Sequence, residues 1–299
     1  MSPIETLAPI SLAELLEDAE LQIRTDRKYL IEASRVPDIL AALEGARVLD
    51  IGGRRCFGYV STYFDTPELV AHARAAHRRR RRFKVRTRTY ADSGQTWLEI
   101  KTRGRRGITV KDRMPIAGTR LDAAAREHVR ACLEAAHVEG VEVAELQPVL
   151  HSRYRRSTLL LPDGARVTID TELVWQLAEG PVHEAGAVAV IETKSPPGTG
   201  PCALDRELAT RGVRTARISK YATGLALMVP TVPHNRWHRT LTGPLAGPGT
   251  TAAWSAPGHA NRAGSPAPTR TTSGAPSEKS ITVVGTSPHS PESITPSRR

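Results

Sequence analysis

In the strand-like stretches of this chain, cations repeat at every second residue. Residues 83–90 read F-K-V-R-T-R-T-Y. On an extended backbone Lys84, Arg86 and Arg88 therefore share one face, and Phe83, Val85, Thr87 and Thr89 share the other. The same alternation sets Glu99 and Lys101 opposite Leu98 and Ile100, and Lys111 and Arg113 opposite Val110. It sets Arg166 and Asp170 opposite Val167 and Ile169, and Glu192 and Lys194 opposite Ile191. One such strand is ordinary for an antiparallel sheet with a solvated face. The set is not, because like charges side by side on a sheet repel. A face made mostly of Lys and Arg is explained if a polyanion lies against it. The interspersed acids Glu99, Asp170 and Glu192 then steady the cations or hold a metal.

Composition agrees. The 299 residues carry 42 Lys+Arg against 31 Asp+Glu, a formal net charge of +11. That excess implies a polyanionic partner without naming it: nucleic acid, a phosphate polymer, nucleotides or an anionic membrane. Aromatic residues are only 4%, which argues against single-stranded nucleic acid, since that mode stacks bases on rings. The three cysteines, Cys56, Cys132 and Cys202, are odd in number and far apart. They form neither a zinc spacing nor a disulfide framework, and they suit a reducing cytoplasm. No basic segment followed by an apolar run opens the chain, and no stretch approaches the ~18 apolar residues of a membrane span. The expectation is a cytoplasmic protein, soluble or at most peripheral.

Periodicity and turn chemistry give an α+β reading. Helices are expected at 12–20, 37–44, 121–136, 203–211 and 219–228, and strands at 22–31, 57–64, 82–90, 96–102, 107–114, 148–161, 165–174 and 187–194. Asp65-Thr66-Pro67-Glu68 offers a helix cap directly after a strand. Asp92-Ser93-Gly94, residues 103–107 and Pro162-Asp163-Gly164 read as turns. Beyond about 231 the chain turns rich in Pro, Ser, Thr and Gly, a composition that cannot offset chain entropy. The expected organisation is a loose start at 1–11, one domain at 12–230 and a disordered tail at 231–299.

A second pattern is an acid followed two residues later by Lys, at Asp26/Lys28, Glu99/Lys101 and Glu192/Lys194. Each pair puts a carboxylate and an ammonium on one face. A hard cation takes oxygen ligands and shares them with phosphates, while the lysine neutralises the oxygens left over. In order along the chain stand D-R-K-Y-L at 26–30, S-T-Y-F-D-T-P at 61–67, F-K-V-R-T-R-T-Y at 83–90, L-E-I-K at 98–101, V-K-D-R at 110–113, I-E-T-K at 191–194 and S-K-Y at 219–221. This ordered set resembles the VTC domain, the polyphosphate polymerase branch of the triphosphate tunnel metalloenzyme (CYTH-like) superfamily, over roughly residues 20–230.

The resemblance implies an antiparallel β-barrel tunnel, basic inside, with helices packed outside. It implies transfer of the ATP γ-phosphoryl group onto a growing inorganic polyphosphate chain. Carried over by motif, Lys28, Arg86, Arg88, Lys101, Lys111, Arg113 and Lys194 would be the catalytic cations. Arg153, Arg166, Ser219 and Lys220 would bind substrate. Glu192 and Glu99 would hold a divalent metal, Mn²⁺ or Mg²⁺. ATP and polyphosphate would be the partners, with no nucleic acid and no transmembrane segment, although a membrane partner stays compatible. Tunnel phosphatases usually carry alternating glutamates with a lysine on the first strand, whereas residues 24–28 here read R-T-D-R-K. Fewer acids favour transfer over hydrolysis. A metal-dependent tunnel triphosphatase and a non-catalytic polyphosphate or nucleic-acid binder remain the alternatives.

Other features read more plainly. The run Arg78–Arg82 is a solvated patch, or else a guide for polymer at the tunnel mouth. His234 and His238 have helical metal-pair spacing but no third ligand. Trp97 and Trp175 read as packing residues, and Ser61 and Thr62 lack partners for a nucleophilic triad.

Overall fold

The computed structural model of the chain describes residues 3–17, 25–104, 108–196 and 198–245, all within one compact unit, residues 1–257. In chain order the strands are β1 (Ala8–Ile10), β2 (Thr25–Glu32), β3 (Arg47–Leu49), β4 (Phe57–Asp65), β5 (Phe83–Tyr90), β6 (Thr96–Arg103), β7 (Thr109–Pro115), β8 (Gln147–Leu160), β9 (Arg166–Leu177), β10 (Val182–Glu184) and β11 (Val188–Ser195). The helices are α1 (Pro3–Thr6), α2 (Leu12–Glu17), α3 (Val36–Ala41), α4 (Val70–Ala76), α5 (Ala123–Ala135), α6 (Ala203–Thr210), α7 (Lys220–Met228) and α8 (His238–Leu241).

One sheet runs β2-β11-β9-β8-β4-β5-β6-β7. Every pairing along that path is antiparallel. The sheet curls, because residues from both ends of this order, Asp26 and Lys28 of β2 and Lys101 and Thr109 of β6 and β7, line one cavity of about 560 Å³. The strands β2 and β7 do not pair with each other among the described residues. The tunnel wall is therefore a wrapped sheet rather than a ring of unbroken hydrogen bonds.

The period of two explains why helices sit outside. The apolar half of each strand faces outward and must be covered. Tyr29, Ile31, Val167, Ile169, Ala189 and Ile191 cluster with Ile39 and Leu40 of α3 and Leu204 and Leu208 of α6. Val85, Leu98 and Ile100 cluster with Ala125, Val129 and Leu133 of α5. Those three α5 residues stand four apart, one stripe of a helix. The helix begins where Asp122 accepts the Ala125 amide at 2.7 Å.

The ninth strand changes parity part-way. Between Arg153 and Arg155 of β8 the register with β9 shifts. Glu172 takes a left-handed φ of 52° there. This bulge lets Trp175 and Asp170, an odd and an even position, both face inward. Trp175 is fully buried and donates through Nε1 to the Lys220 carbonyl at 2.6 Å. Its ring leaves no room on α7: a Cβ built on Gly224 would lie 2.3 Å from the indole. Gly224→Ala should therefore displace α7 and lower stability by about 1–3 kcal/mol, measurable by chemical denaturation. An unchanged midpoint would show that α7 docks elsewhere.

Three expectations need adjustment. Helix α4 starts at Val70, after Leu69 in a left-handed conformation, and not at the Asp65 cap. Asp65 is instead buried, accepting the amides of Thr66, Ala71 and His72 and the Tyr221 hydroxyl. The short strands β1, β3 and β10 were not expected; β1 pairs in parallel with β3 inside the stretch read as loose. Packed residues also run past 230, since Val232, Trp237, Thr240 and Leu245 are buried. The expected tail from 246 on, residues 22–24 of the expected first strand and the turn at 105–107 lie outside the described residues.

Candidate active site

Register turns the alternating cations into rows. Lys84, Lys101 and Lys111 stand directly opposite one another across β5, β6 and β7. The next row inward is Arg86, Glu99 and Arg113. On the far side of the tunnel Lys28 stands opposite Glu192, and Asp26 opposite Lys194, which in turn faces Arg166. A line of three lysines is unfavourable in an empty protein.

The inner-face acids Glu99, Asp170 and Glu192 are each held by more than one cation. Glu99, only 1% exposed, takes Arg86 at 2.5 Å, Lys111 at 2.6 Å and Arg88 at 3.9 Å. Burial alone would raise its pKa, but Arg86, Arg88 and Lys111 overcome that and hold it well below the ordinary carboxylate range. Asp170 takes Arg156 at 2.6 Å and the Lys220 ammonium, and is likewise lowered against the effect of burial. Glu192 takes Lys28 and Lys194, each at 3.0 Å. Burial opposes its ionisation, yet Lys194, Lys28 and Arg156 keep its carboxyl well below the usual range.

Lys84 and Lys101 have no acid partner among the described residues. The Lys101 ammonium makes no hydrogen bond or ion pair among the described residues. Burial, then Arg86 and Lys84, push its pKa well down. Lys84 donates to Ser219 Oγ at 2.8 Å, and burial brings its pKa to about 8. Lys194 is also brought to about 8, by burial against the pull of Glu192. The Tyr63 hydroxyl, although burial opposes its ionisation, falls to about 8 beside Arg86 and Lys84. Rings back the guanidiniums: Arg88 and Arg156 lie 5.3 Å from the Tyr59 ring centre, and Arg113 lies 4.7 Å from that of Trp97.

These values fix a pH response. A lysine whose folded pKa is depressed penalises the fold while it is charged. The unfolded chain then binds more protons above about pH 8, so stability rises with pH from about 8 to about 10. Tyr63 acts in the same direction. Binding of a polyanion should do the opposite and weaken as pH rises through about 8, because lysines lose charge and a phenolate appears. Calorimetric titration of tripolyphosphate at several pH values checks this; affinity that grew with pH would remove these groups from the site.

Of the residues singled out in the sequence, Lys28, Arg86, Arg88, Lys101, Lys111, Arg113, Arg166, Lys194, Glu99 and Glu192 all stand on the inner face. Ser219 caps α7, and Lys220 follows it with its ammonium 4.3 Å from the Tyr154 ring centre. Arg153 does not join them. It lies between Ser152 and Tyr154 and so on the opposite face, since Tyr154 accepts a hydrogen bond inside the tunnel from Arg88 at 2.9 Å. Arg156, which the motifs did not single out, is the β8 cation that faces inward. Tyr63 and Tyr154 were also missed as site residues.

A model of the VTC domain family matches residues 23–229. The chain belongs to the VTC domain family. The VTC match spans every inward-facing cation described above. No curated protein matches the chain. Among solved structures, a conserved hypothetical protein of Pyrococcus furiosus is similar at 14% identity and a TM-score of 0.38, covering 66% of this chain and 98% of its own. The Hippeastrum protein HpAC1, a putative adenylyl cyclase with a dominant triphosphatase activity, is similar at 15% identity and a TM-score of 0.43, covering 68% of this chain and 96% of its own. The assignment to the VTC family rests on the match over 23–229. Among the described residues no helix is long and apolar enough to cross a membrane.

Proposed function

We propose that this VTC domain is an ATP-dependent polyphosphate polymerase. The observation that carries this reading is the surplus of inward cations over acids, with the inner-face acids Glu99, Asp170 and Glu192 each already engaged by cations. Such a lumen neutralises a string of phosphates. Their cation partners leave Glu99, Asp170 and Glu192 poorly placed to draw a proton from water, which disfavours hydrolysis. Phosphoryl transfer needs little else from a protein than alignment and charge neutralisation.

In this proposal Arg86, Arg88, Lys101, Lys111 and Arg113 grip non-bridging oxygens of ATP and of the acceptor. Lys28, Lys194 and Arg166 hold the phosphates on the opposite wall. A terminal oxygen of the growing chain attacks the γ-phosphorus, the bond to the β,γ-bridging oxygen breaks, and ADP leaves with that electron pair. Lys220, Ser219 and Lys84 hold the α7 end of the path.

The family resemblance also implies a divalent metal. Inside the tunnel the donors fit at Glu192. Glu192 is 20% exposed and gives one lysine to each oxygen, so each oxygen keeps a lone pair for an ion. Magnesium or manganese is commonly bound by one or two carboxylates, with phosphates and water completing the shell. Glu99 does not fit that role, because it is almost wholly buried under three cations; we assign it the task of fixing those cations. A metal on Glu192 would supply charge neutralisation at the phosphate oxygens.

Incubation of purified protein with ATP and Mn²⁺ or Mg²⁺ tests the proposal. Long polymer with stoichiometric ADP supports it. Orthophosphate without polymer would replace it with a triphosphatase, and no turnover would leave a polyphosphate binder.

A further inference from the structure

On the outside of the tunnel wall three side chains of different chemistry meet. Asp112 stands on the outer face of β7, between the inward-facing Lys111 and Arg113. His128 and Cys132 stand one turn apart on α5, on the same side of the helix. His128 Nε2 is 2.5 Å from Asp112 Oδ1 and 3.8 Å from Cys132 Sγ. The three donor atoms lie within 4.8 Å of one another, and all three side chains are half-buried.

A Cys-His-Asp proton relay is one reading of such a trio. It requires the thiol at one ring nitrogen and the carboxylate at the other. Here both approach Nε2, so no proton can pass across the ring. Oxygen and sulfur gathered around one nitrogen is instead the arrangement of ligands around a common point. Tetrahedral zinc, with bonds of about 2.0–2.3 Å, keeps its donors about 3.3–3.8 Å apart. The sulfur–nitrogen distance already has that value, and the carboxylate needs to withdraw by about an ångström.

The donor chemistry chooses the ion. Thiolate and imidazole suit zinc and disfavour magnesium or calcium. One thiolate and one carboxylate together neutralise a divalent charge. Half-burial leaves a path for the ion and room for a water as fourth ligand.

We propose that Asp112, His128 and Cys132 form a zinc-binding site, separate from the tunnel, that clasps α5 to β7. The consequence for the wall is specific. The seventh strand ends the strand order with β6 as its single neighbour among the described residues, yet it carries Lys111 and Arg113. A clasp through Asp112 fixes the strand between them.

The test uses the metal-free full chain and cobalt(II) as the probe. Titration should give a thiolate-to-cobalt charge-transfer absorption that saturates at one ion per chain and disappears on addition of zinc. Cys132→Ala and His128→Ala should lose it, whereas Cys56→Ala and Glu192→Ala should keep it. Zinc should also raise the melting temperature of the wild type and not that of Cys132→Ala. Absence of the band in the wild type, its survival in Cys132→Ala, or an equal zinc shift in both proteins would overturn the proposal. None of these readouts depends on the polymerase reading.

Discussion

Replacing Glu99 with alanine is expected to cost about 3–5 kcal/mol of folding free energy. The carboxylate is the shared anion for Arg86, Arg88 and Lys111. Without it three cations converge with nothing between them. At about 2–4 °C per kcal/mol for a domain of this size, the melting temperature should fall by roughly 10 °C. Glu99→Gln keeps the shape and should fall less. Tripolyphosphate should restore part of the loss, since phosphate oxygens can replace the missing anion. Glu99 also makes the wild type acid-sensitive. Its folded pKa lies below its unfolded value, so it stabilises the fold above about pH 4–5, and that contribution is lost as pH falls toward the folded pKa. Thermal unfolding of the alanine variant should show a flatter acid limb. A variant as stable as the wild type would mean that the cation row is not held by this acid.

Lys101→Ala is expected to separate stability from activity. The ammonium has no ion pair among the described residues and stands directly opposite two other lysines. Charging it penalises the unliganded fold, which is what its lowered pKa expresses. Removing it should stabilise the empty protein by about 0.2–1 kcal/mol. The same substitution should remove a charge-assisted contact to phosphate worth about 1.5–3 kcal/mol, or about ten- to hundredfold in kcat/KM. Paired melting and polymer-synthesis measurements check both signs. A variant that is both less stable and fully active would make Lys101 a structural residue.

The inward rows were legible in the sequence because β5, β6 and β11 each bury one apolar face against helices, so their charged positions could be assigned to the other; β7 is largely exposed and shows the same alternation only through its charges. The β8 segment defeated that reasoning. Residues 151–156 read H-S-R-Y-R-R, and both of its faces are partly buried, so alternation offers no preference among Arg153, Arg155 and Arg156. Only pairing with β4 settles it, by bringing Tyr154 opposite Tyr59 and Arg156 opposite Phe57. The switch in β9 was invisible for a related reason. A bulge at a glutamate, not a glycine, carries no sequence mark. The alignment of Lys84, Lys101 and Lys111 depends on hairpin register, which spacing alone leaves free. Cys132 was read only against the other cysteines, so its two partners, one turn away and on a neighbouring strand, went unnoticed.

The most direct test concerns whether lysines from separate strands face one ligand. Amine-selective labelling read by peptide mass spectrometry, with and without tripolyphosphate, measures this. The expected result is joint protection of Lys28, Lys84, Lys101 and Lys194, which come from β2, β5, β6 and β11. Protection confined to one strand, or none at all, would contradict a common phosphate-binding lumen.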